Sequence, residues 1–138
     1  MNSTLDMTKI RQLNLFEKLT GVSTKSCFVY NNVIIFGVYP EAVSRAIGEA
    51  GRNVKRISAI IGKKIKVVGI PRNSMEAKNF IINIIEPIEV REIEITEKEL
   101  IIATYKQNKA SLIGRNKTRL EELKLIVKEQ LGKELRII

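Results

Sequence analysis

Val33–Gly48 reads VIIFGVYPEAVSRAIG, and Glu99–Gly114 reads ELIIATYKQNKASLIG. The two stretches align without a gap at an offset of 66 residues, with a tyrosine at the seventh position and Ile-Gly at the end. Each begins as a β-rich apolar run and is followed by a basic turn, a helical pattern and a strand-like segment (Lys64–Ile70 and Glu134–Ile138). A unit of strand, helix, glycine turn, helix and strand that occurs twice indicates a duplicated nucleic-acid-binding module.

The composition argues against an enzyme. The 138 residues contain no histidine and one cysteine, Cys27. This excludes the commonest general base, the commonest metal ligand and an intrachain disulfide. The glutamates between positions 86 and 99 have strand-like spacing and lack catalytic partner groups. We therefore predict no catalytic activity, no cofactor and no metal site, and we interpret Cys27 as a buried structural thiol.

The positive charge is concentrated around the two glycine turns. The chain has a net charge of +9, and residues 45–66 hold seven basic residues against one acidic residue. Residues 106–138 hold nine against four, whereas residues 67–105 have more acidic than basic residues. A polyanion that binds near the turns explains this distribution. General solubility from a lysine-rich surface is the alternative.

The sequence also allows a prediction of the cellular location of the protein. Its apolar runs are far shorter than the roughly 18 residues that suggest a membrane span, and its N-terminus lacks an apolar signal stretch. We expect a cytoplasmic, monomeric protein without a membrane partner.

Hydrophobic periodicity and turn-forming residues predict the helices and strands of the rest of the chain. An amphipathic helix is predicted over Leu5–Leu19, and Asn31-Asn32 suits the tight turn of a hairpin. The other predicted helices are a short one after Pro40 that stops at Gly48, one from about Arg52 to Gly62, Ser74–Ile85, Lys109–Ile113 and Thr118–Gln130. The predicted strands are Cys27–Tyr30, Val33–Val38, Lys64–Gly69, Ile88–Ile95, Leu100–Tyr105 and Leu135–Ile138.

These elements predict two α+β domains. Each should be a three-stranded mixed sheet with helices packed on one face, and Pro87 should close the first domain. Domain one, with the N-terminal helix, is therefore assigned to residues 1–86 and domain two to residues 87–138. Ser74 is predicted as a helix N-cap, and Ile60 is predicted to face the core with Ile57.

The first turn is Gly48-Glu49-Ala50-Gly51. Its glycines allow backbone conformations closed to other residues and leave no Cβ in the way of a phosphate. The turn leads into a helix N-terminus, where unsatisfied amides and the macrodipole attract an anion. The residues of this module predicted to bind nucleic acid, which the resemblance described below makes RNA, are Arg45, Ile47, Gly48, Glu49, Ala50, Gly51, Arg52, Asn53, Lys55 and Arg56. A tight helix–helix turn without a ligand is the alternative.

The second turn, Gly114-Arg115-Asn116-Lys117, replaces the last glycine by Lys117. Asn116 can still adopt a left-handed conformation, and the added charge favours a more electrostatic contact. The residues of this module predicted to bind the same nucleic acid are Ile113, Gly114, Arg115, Asn116, Lys117 and Arg119. A structural copy that no longer binds a nucleic-acid backbone is the alternative.

The turn and its flanking elements resemble KH domains, which clamp a short single strand at a GxxG loop. The order of elements, with strands ahead of the helix pair, resembles the type II arrangement. The whole chain resembles the archaeal NusA-like family of two tandem KH domains. The segments that carry this resemblance are Leu15–Gly21, Cys27, Ala46–Gly48, Asn53–Arg56 and Ile61–Lys64.

The resemblance implies a transcription factor that binds single-stranded RNA and acts in elongation, termination or antitermination. It also implies RNA polymerase as a partner. A KH protein of the ribosome or of ribosome assembly, and a protein–protein adaptor built from KH folds, are the alternatives that stay open.

Overall fold

The structure is a computed structural model that describes residues 7–24 and 26–138. Its internal contacts divide the chain into two compact units, the first ending at Gly69 and the second covering Ile70–Ile138. Both units have the order helix, strand, strand, helix, helix, strand. Within the described residues each unit contains a three-stranded mixed sheet. The predicted α+β class with two mixed sheets is therefore confirmed.

The first unit is built around its middle strand. Its elements are α1 (Met7–Thr20), β1 (Ser26–Tyr30), β2 (Val33–Val38), α2 (Val43–Ile47), α3 (Arg52–Ile61) and β3 (Lys64–Gly69). Strand β2 pairs antiparallel with β1 and parallel with β3. Asn31 and Asn32 form the hairpin turn with φ values of 51° and 65°, as their tolerance of positive φ predicts. Leu5, where the first helix was predicted to begin, lies outside the described residues.

Helices α1, α2 and α3 cover one face of this sheet. Alternate β2 residues, Ile34 and Phe36 among them, point toward the helices because side chains alternate along a strand. Phe16 of α1 stacks on Phe36 with 4.4 Å between ring centroids. Cys27 belongs to the same core, and burial raises the pKa of its thiol to about 11. The prediction of a buried structural thiol is confirmed.

The second unit repeats this topology. Its elements are α4 (Ser74–Ile85), β4 (Val90–Ile95), β5 (Glu99–Thr104), α5 (Lys109–Ile113), α6 (Thr118–Leu131) and β6 (Glu134–Ile137). Strand β5 pairs antiparallel with β4 and parallel with β6. Across the part of the chain that the structure describes, no helix combines the length and apolar character needed to cross a membrane.

Helix α4 belongs to the second unit, where it contacts β4. It is the first element of that unit, as α1 is of the first unit. The boundary predicted after Glu86 differs from this division, which falls after Gly69. The physical reason is that prolines interrupt the chain on both sides of α4, at Pro71 and at Pro87. The sequence therefore marks two equivalent breaks, and only tertiary contacts assign the helix to one unit.

Two local predictions were wrong. Asn73, not Ser74, is the N-cap of α4, because its side chain accepts a hydrogen bond from the Glu76 amide at 2.9 Å. Ile60, predicted to face the core, is 60% exposed, whereas Ile57 is fully buried. The apolar spacing of α3 fits Val54, Ile57 and Ile61, and Ile60 lies beside that stripe.

Candidate nucleic-acid interface

The first glycine turn joins α2 to α3 through three residues with positive φ. Gly48 ends α2 with φ 82° and ψ 164°. Ala50 and Gly51 follow in the left-handed region, with φ values of 56° and 74°. The Gly51 amide donates to the Gly48 carbonyl at 3.0 Å, which closes the turn. The chain therefore enters α3 directly from a tight left-handed bend.

The two glycines of this turn are needed for different reasons. A Cβ added at Gly48 would lie 2.9 Å from Asn53 Nδ2 and 3.1 Å from the Asn53 main-chain nitrogen. Gly48 is therefore required both by its φ and by the closeness of Asn53. At Gly51 the nearest atom to an added Cβ is Lys55 Cε at 3.8 Å, so only the φ value favours glycine there.

Asn53 fixes the turn to the helix before it. Its side-chain amide donates to the carbonyl oxygens of Arg45 and Ala46 at 3.3 and 3.2 Å. These carbonyls belong to the last turn of α2, whose carbonyl groups lack intrahelical partners. Asn53 was predicted as an RNA contact, and the structure gives its side-chain amide these two intramolecular acceptors.

The second turn has the same backbone conformation. Gly114 has φ 79° and ψ 170°, Asn116 has φ 55°, and Lys117 has φ 61°. Arg119 takes the place of Asn53, because its guanidinium donates to the Ser111 carbonyl at 3.1 Å and its Cγ lies 2.9 Å from a Cβ added at Gly114. The loss of the second glycine therefore leaves the shape of the turn unchanged.

Lys117 has a left-handed backbone conformation, and we expect that replacing it by glycine will relieve the backbone strain. A residue with a Cβ in this region costs about 1 kcal/mol relative to glycine. Lys117→Gly should therefore raise the free energy of unfolding by up to about 1 kcal/mol, measured by urea denaturation followed by circular dichroism. Lys117→Ala removes the same charge and keeps the strain, so it should bring no such gain. An equal increase in the free energy of unfolding in both variants would show that the removed charge causes it, and this would contradict the prediction.

Exposed cations surround both turns. Arg45, Arg52, Lys55, Arg56, Arg115 and Lys117 are exposed. Within residues 7–24 and 26–138, none of these six forms an ion pair. The ion pairs of the second unit, such as Arg72–Glu76 and Lys128–Glu134, use other residues. The cations at the turns are thus available to an anionic ligand.

The main chain adds donors at the same place. The amides of Glu49 and Ala50, and those of Arg115 and Asn116, form no hydrogen bond to any residue that the structure describes. Each pair precedes a helix of ten or more residues, α3 or α6, whose N-terminus carries a positive partial charge. Exposed amides ahead of a helix N-terminus are suited to donate hydrogen bonds to a phosphate oxygen.

The apolar residues that were predicted to contact the ligand are only partly accessible to solvent. Ile47 and Ile113 end the helices before the turns and are half-buried. Sequence reasoning missed Ile60, which is exposed one helical turn after Arg56 and adds apolar surface to the basic face of α3. Its position outside the spacing of Val54, Ile57 and Ile61 was the signal that could have found it.

Comparisons with known proteins identify relatives. No family model matches the chain. A protein of Halococcus morrhuae named "Probable transcription termination protein NusA" is 29% identical over 133 residues, which cover 94% of each chain. A protein of the same name from Methanococcus vannielii is 34% identical over 93 residues, which cover 67% of this chain and 52% of that protein. The chain therefore spans about half the length of the Methanococcus protein.

A further relative and a solved structure each match almost all of the chain. The Methanocaldococcus jannaschii protein of the same name is 26% identical, with 96% of this chain and 80% of that protein covered. The crystal structure of a protein named APE1850 matches with a TM-score of 0.67 and 25% identity, over 97% of this chain and 100% of that one. This fold is consistent with two tandem KH-like domains. The similarity of the chain to archaeal NusA-like transcription termination proteins, predicted from its sequence, is confirmed.

Proposed function

We propose that this protein is a NusA-like transcription factor that binds single-stranded RNA at its two glycine turns. It acts in elongation, termination or antitermination. The observation that carries the proposal is the presence of two turns with the same backbone conformation. Each has exposed amides and exposed cations that form no ion pair with a described residue. The names of the relatives, which are called probable transcription termination proteins, support the role in transcription.

In the first unit the sugar-phosphate backbone lies against the turn. The amides of Glu49 and Ala50 donate to a phosphate oxygen, and the cations at positions 45, 52, 55 and 56 hold the strand electrostatically. Asn53 keeps the turn in place through its hydrogen bonds to α2. Ile47 offers apolar surface to a base. This arrangement needs no cofactor, metal or catalytic group.

The second unit contributes a second RNA-binding domain. The amides of Arg115 and Asn116 occupy the positions of Glu49 and Ala50, and Lys117 and Arg119 add charge. Both units are assigned to the type II KH arrangement, because in each two strands precede the helix pair. We also infer a cytoplasmic monomer that contacts RNA polymerase, which co-purification with polymerase rather than with ribosomal particles would support.

Gly51→Asp tests the turn directly. The substitution places a carboxylate where the phosphate is proposed to lie, so the affinity for a fluorescently labelled single-stranded RNA should fall by at least about tenfold. Fluorescence anisotropy at constant ionic strength measures the change. Circular dichroism of the variant checks that the fold is kept.

Gly62→Asp is the matched control. Gly62 ends α3 with φ 80°, close to the 74° of Gly51, and an added Cβ there meets no atom within 4 Å. The control therefore has the same new charge and the same backbone strain at the opposite end of the helix. Equal affinities of the two variants would exclude the turn as the RNA site. Binding that does not weaken with salt would favour the adaptor alternative, because phosphate contacts release counterions.

A further inference from the structure

The two units carry exchanged charges at equivalent positions. Lys55 and Arg56 of α3 correspond, at the offset of 66 residues, to Glu121 and Glu122 of α6. The reverse exchange occurs in the turns, where Glu49 corresponds to Arg115. The first unit therefore has an acidic residue in its turn and cations on its helix. The second unit has cations in its turn and at Arg119, and it has carboxylates at the positions of Lys55 and Arg56.

This correspondence is structural as well as sequential. The φ values of the two turns differ by no more than 13° at any of the three positive-φ positions. Helices α3 and α6 begin at equivalent residues, Arg52 and Thr118. A side chain in the first turns of one helix thus has the same relation to its glycine turn as its counterpart has in the other unit.

The first pair of exchanged residues, Lys55 and Glu121, lies near the glycine turns. The Lys55 side chain folds back toward the turn, with its Cε 3.8 Å from the position of a Cβ on Gly51. Glu121 stands at the corresponding place and is 65% exposed, with Lys124 Nζ at 3.8 Å as its ion-pair partner. Exposed ion pairs of this kind are weak, so the carboxylate keeps most of its effect on an approaching anion.

Two further counterparts strengthen the contrast, whereas Arg119 in place of Asn53 adds one cation at the start of α6. Arg45 and Arg52 correspond to the neutral residues Ser111 and Thr118. In the first unit, cations thus continue from the turn along α3. In the second, Arg115 and Lys117 concentrate the positive charge in the turn itself. A phosphate on the α6 face would meet the exposed Glu121 and the half-buried Glu122 in place of two exposed cations.

We propose that the second unit holds single-stranded RNA through its turn and Arg119 at the start of α6, and that Glu121 and Glu122 repel the phosphates of the strand from the rest of α6. The first unit, by contrast, binds successive phosphates along its turn and α3. The proposal rests on the proposed function of the turns. It defines the ligand of the second unit as a single phosphate group with its adjoining nucleotides.

The test transfers the charges of α3 to α6. In the Gly51→Asp background, which weakens the first unit, the substitutions Glu121→Lys and Glu122→Arg are introduced together. The affinity for a labelled single-stranded RNA should rise by about tenfold at low salt, and the slope of log K against log salt should steepen by about 1.4, that is about 0.7 for each added phosphate contact.

A control pair separates this local effect from net charge. Glu97→Lys and Glu129→Arg change the total charge equally at two exposed positions of the second unit outside the turn and the first turns of α6. These variants should change the affinity less than threefold, or about 0.65 kcal/mol, through screened long-range attraction. An equal gain from both pairs, or no gain from the α6 pair, would overturn the proposal. Failure of the wild-type chain to bind the RNA would instead overturn the proposed function.

Discussion

Gly48→Ala is expected to destabilise the first unit by about 2–5 kcal/mol and to abolish RNA binding by that unit. Two costs add at this position. The backbone of Gly48 has φ 82° and ψ 164°, a conformation that is open to glycine and costly for alanine. The new methyl group would also lie 2.9 Å from Asn53 Nδ2, so the side chain that ties the turn to α2 must move.

Two further variants identify the cause. Gly51→Ala introduces a methyl group with no atom closer than 3.8 Å and should cost only about 1 kcal/mol of left-handed strain. Asn53→Ala combined with Gly48→Ala removes the contact at 2.9 Å but keeps the 3.1 Å contact to the main-chain nitrogen of residue 53. The double variant should therefore recover only part of the loss. Equal costs for Gly48→Ala and Gly51→Ala, measured by urea denaturation, would contradict the steric argument.

Local signals in the sequence were enough to predict most elements of both units. Asn31-Asn32 marked the hairpin because asparagine tolerates positive φ, and Gly48 and Gly62 marked the ends of α2 and α3. Strand β3 was predicted with its observed bounds, since basic and apolar residues alternate between Lys64 and Gly69. Each of these signals acts within a few residues, which is why the chain alone reveals it.

Features that depend on distant partners could not be predicted in the same way. Asn53 reaches carbonyl oxygens seven and eight residues earlier, so its position after the glycine turn suggested a ligand contact. The N-cap of α4 was not predicted correctly because two suitable capping residues, Asn73 and Ser74, are adjacent. Only the hydrogen bond from the Glu76 amide identifies Asn73 as the cap. The close approach of Arg119 to Gly114 and the left-handed backbone of Lys117 are likewise not evident from the sequence of the turn.

Phe16→Ala should remove about 3–5 kcal/mol from the stability of the protein, the usual cost of deleting a fully buried phenylalanine. Phe16 is completely buried, and its ring lies against Phe36 of the central strand with 18° between the ring planes. Because a small unit has a modest core and a domain is stable by only about 5–15 kcal/mol, this loss is a large fraction of the total.

The substitution of Phe16 should also affect the proposed RNA site, because the core supports the helices of that site. Phe16 holds α1 in the cluster that contains Ala46 of α2 and Ile57 of α3, the two helices that the glycine turn connects. Weakening this cluster should therefore lower RNA affinity, although Phe16 is buried beneath the surface. Circular dichroism during urea denaturation measures stability in this tryptophan-free chain, and Ile60→Ala, at an exposed position of α3, should cost less than about 0.5 kcal/mol. A cost at Phe16 as small as that at Ile60 would show that the stacked pair does not hold the first unit together.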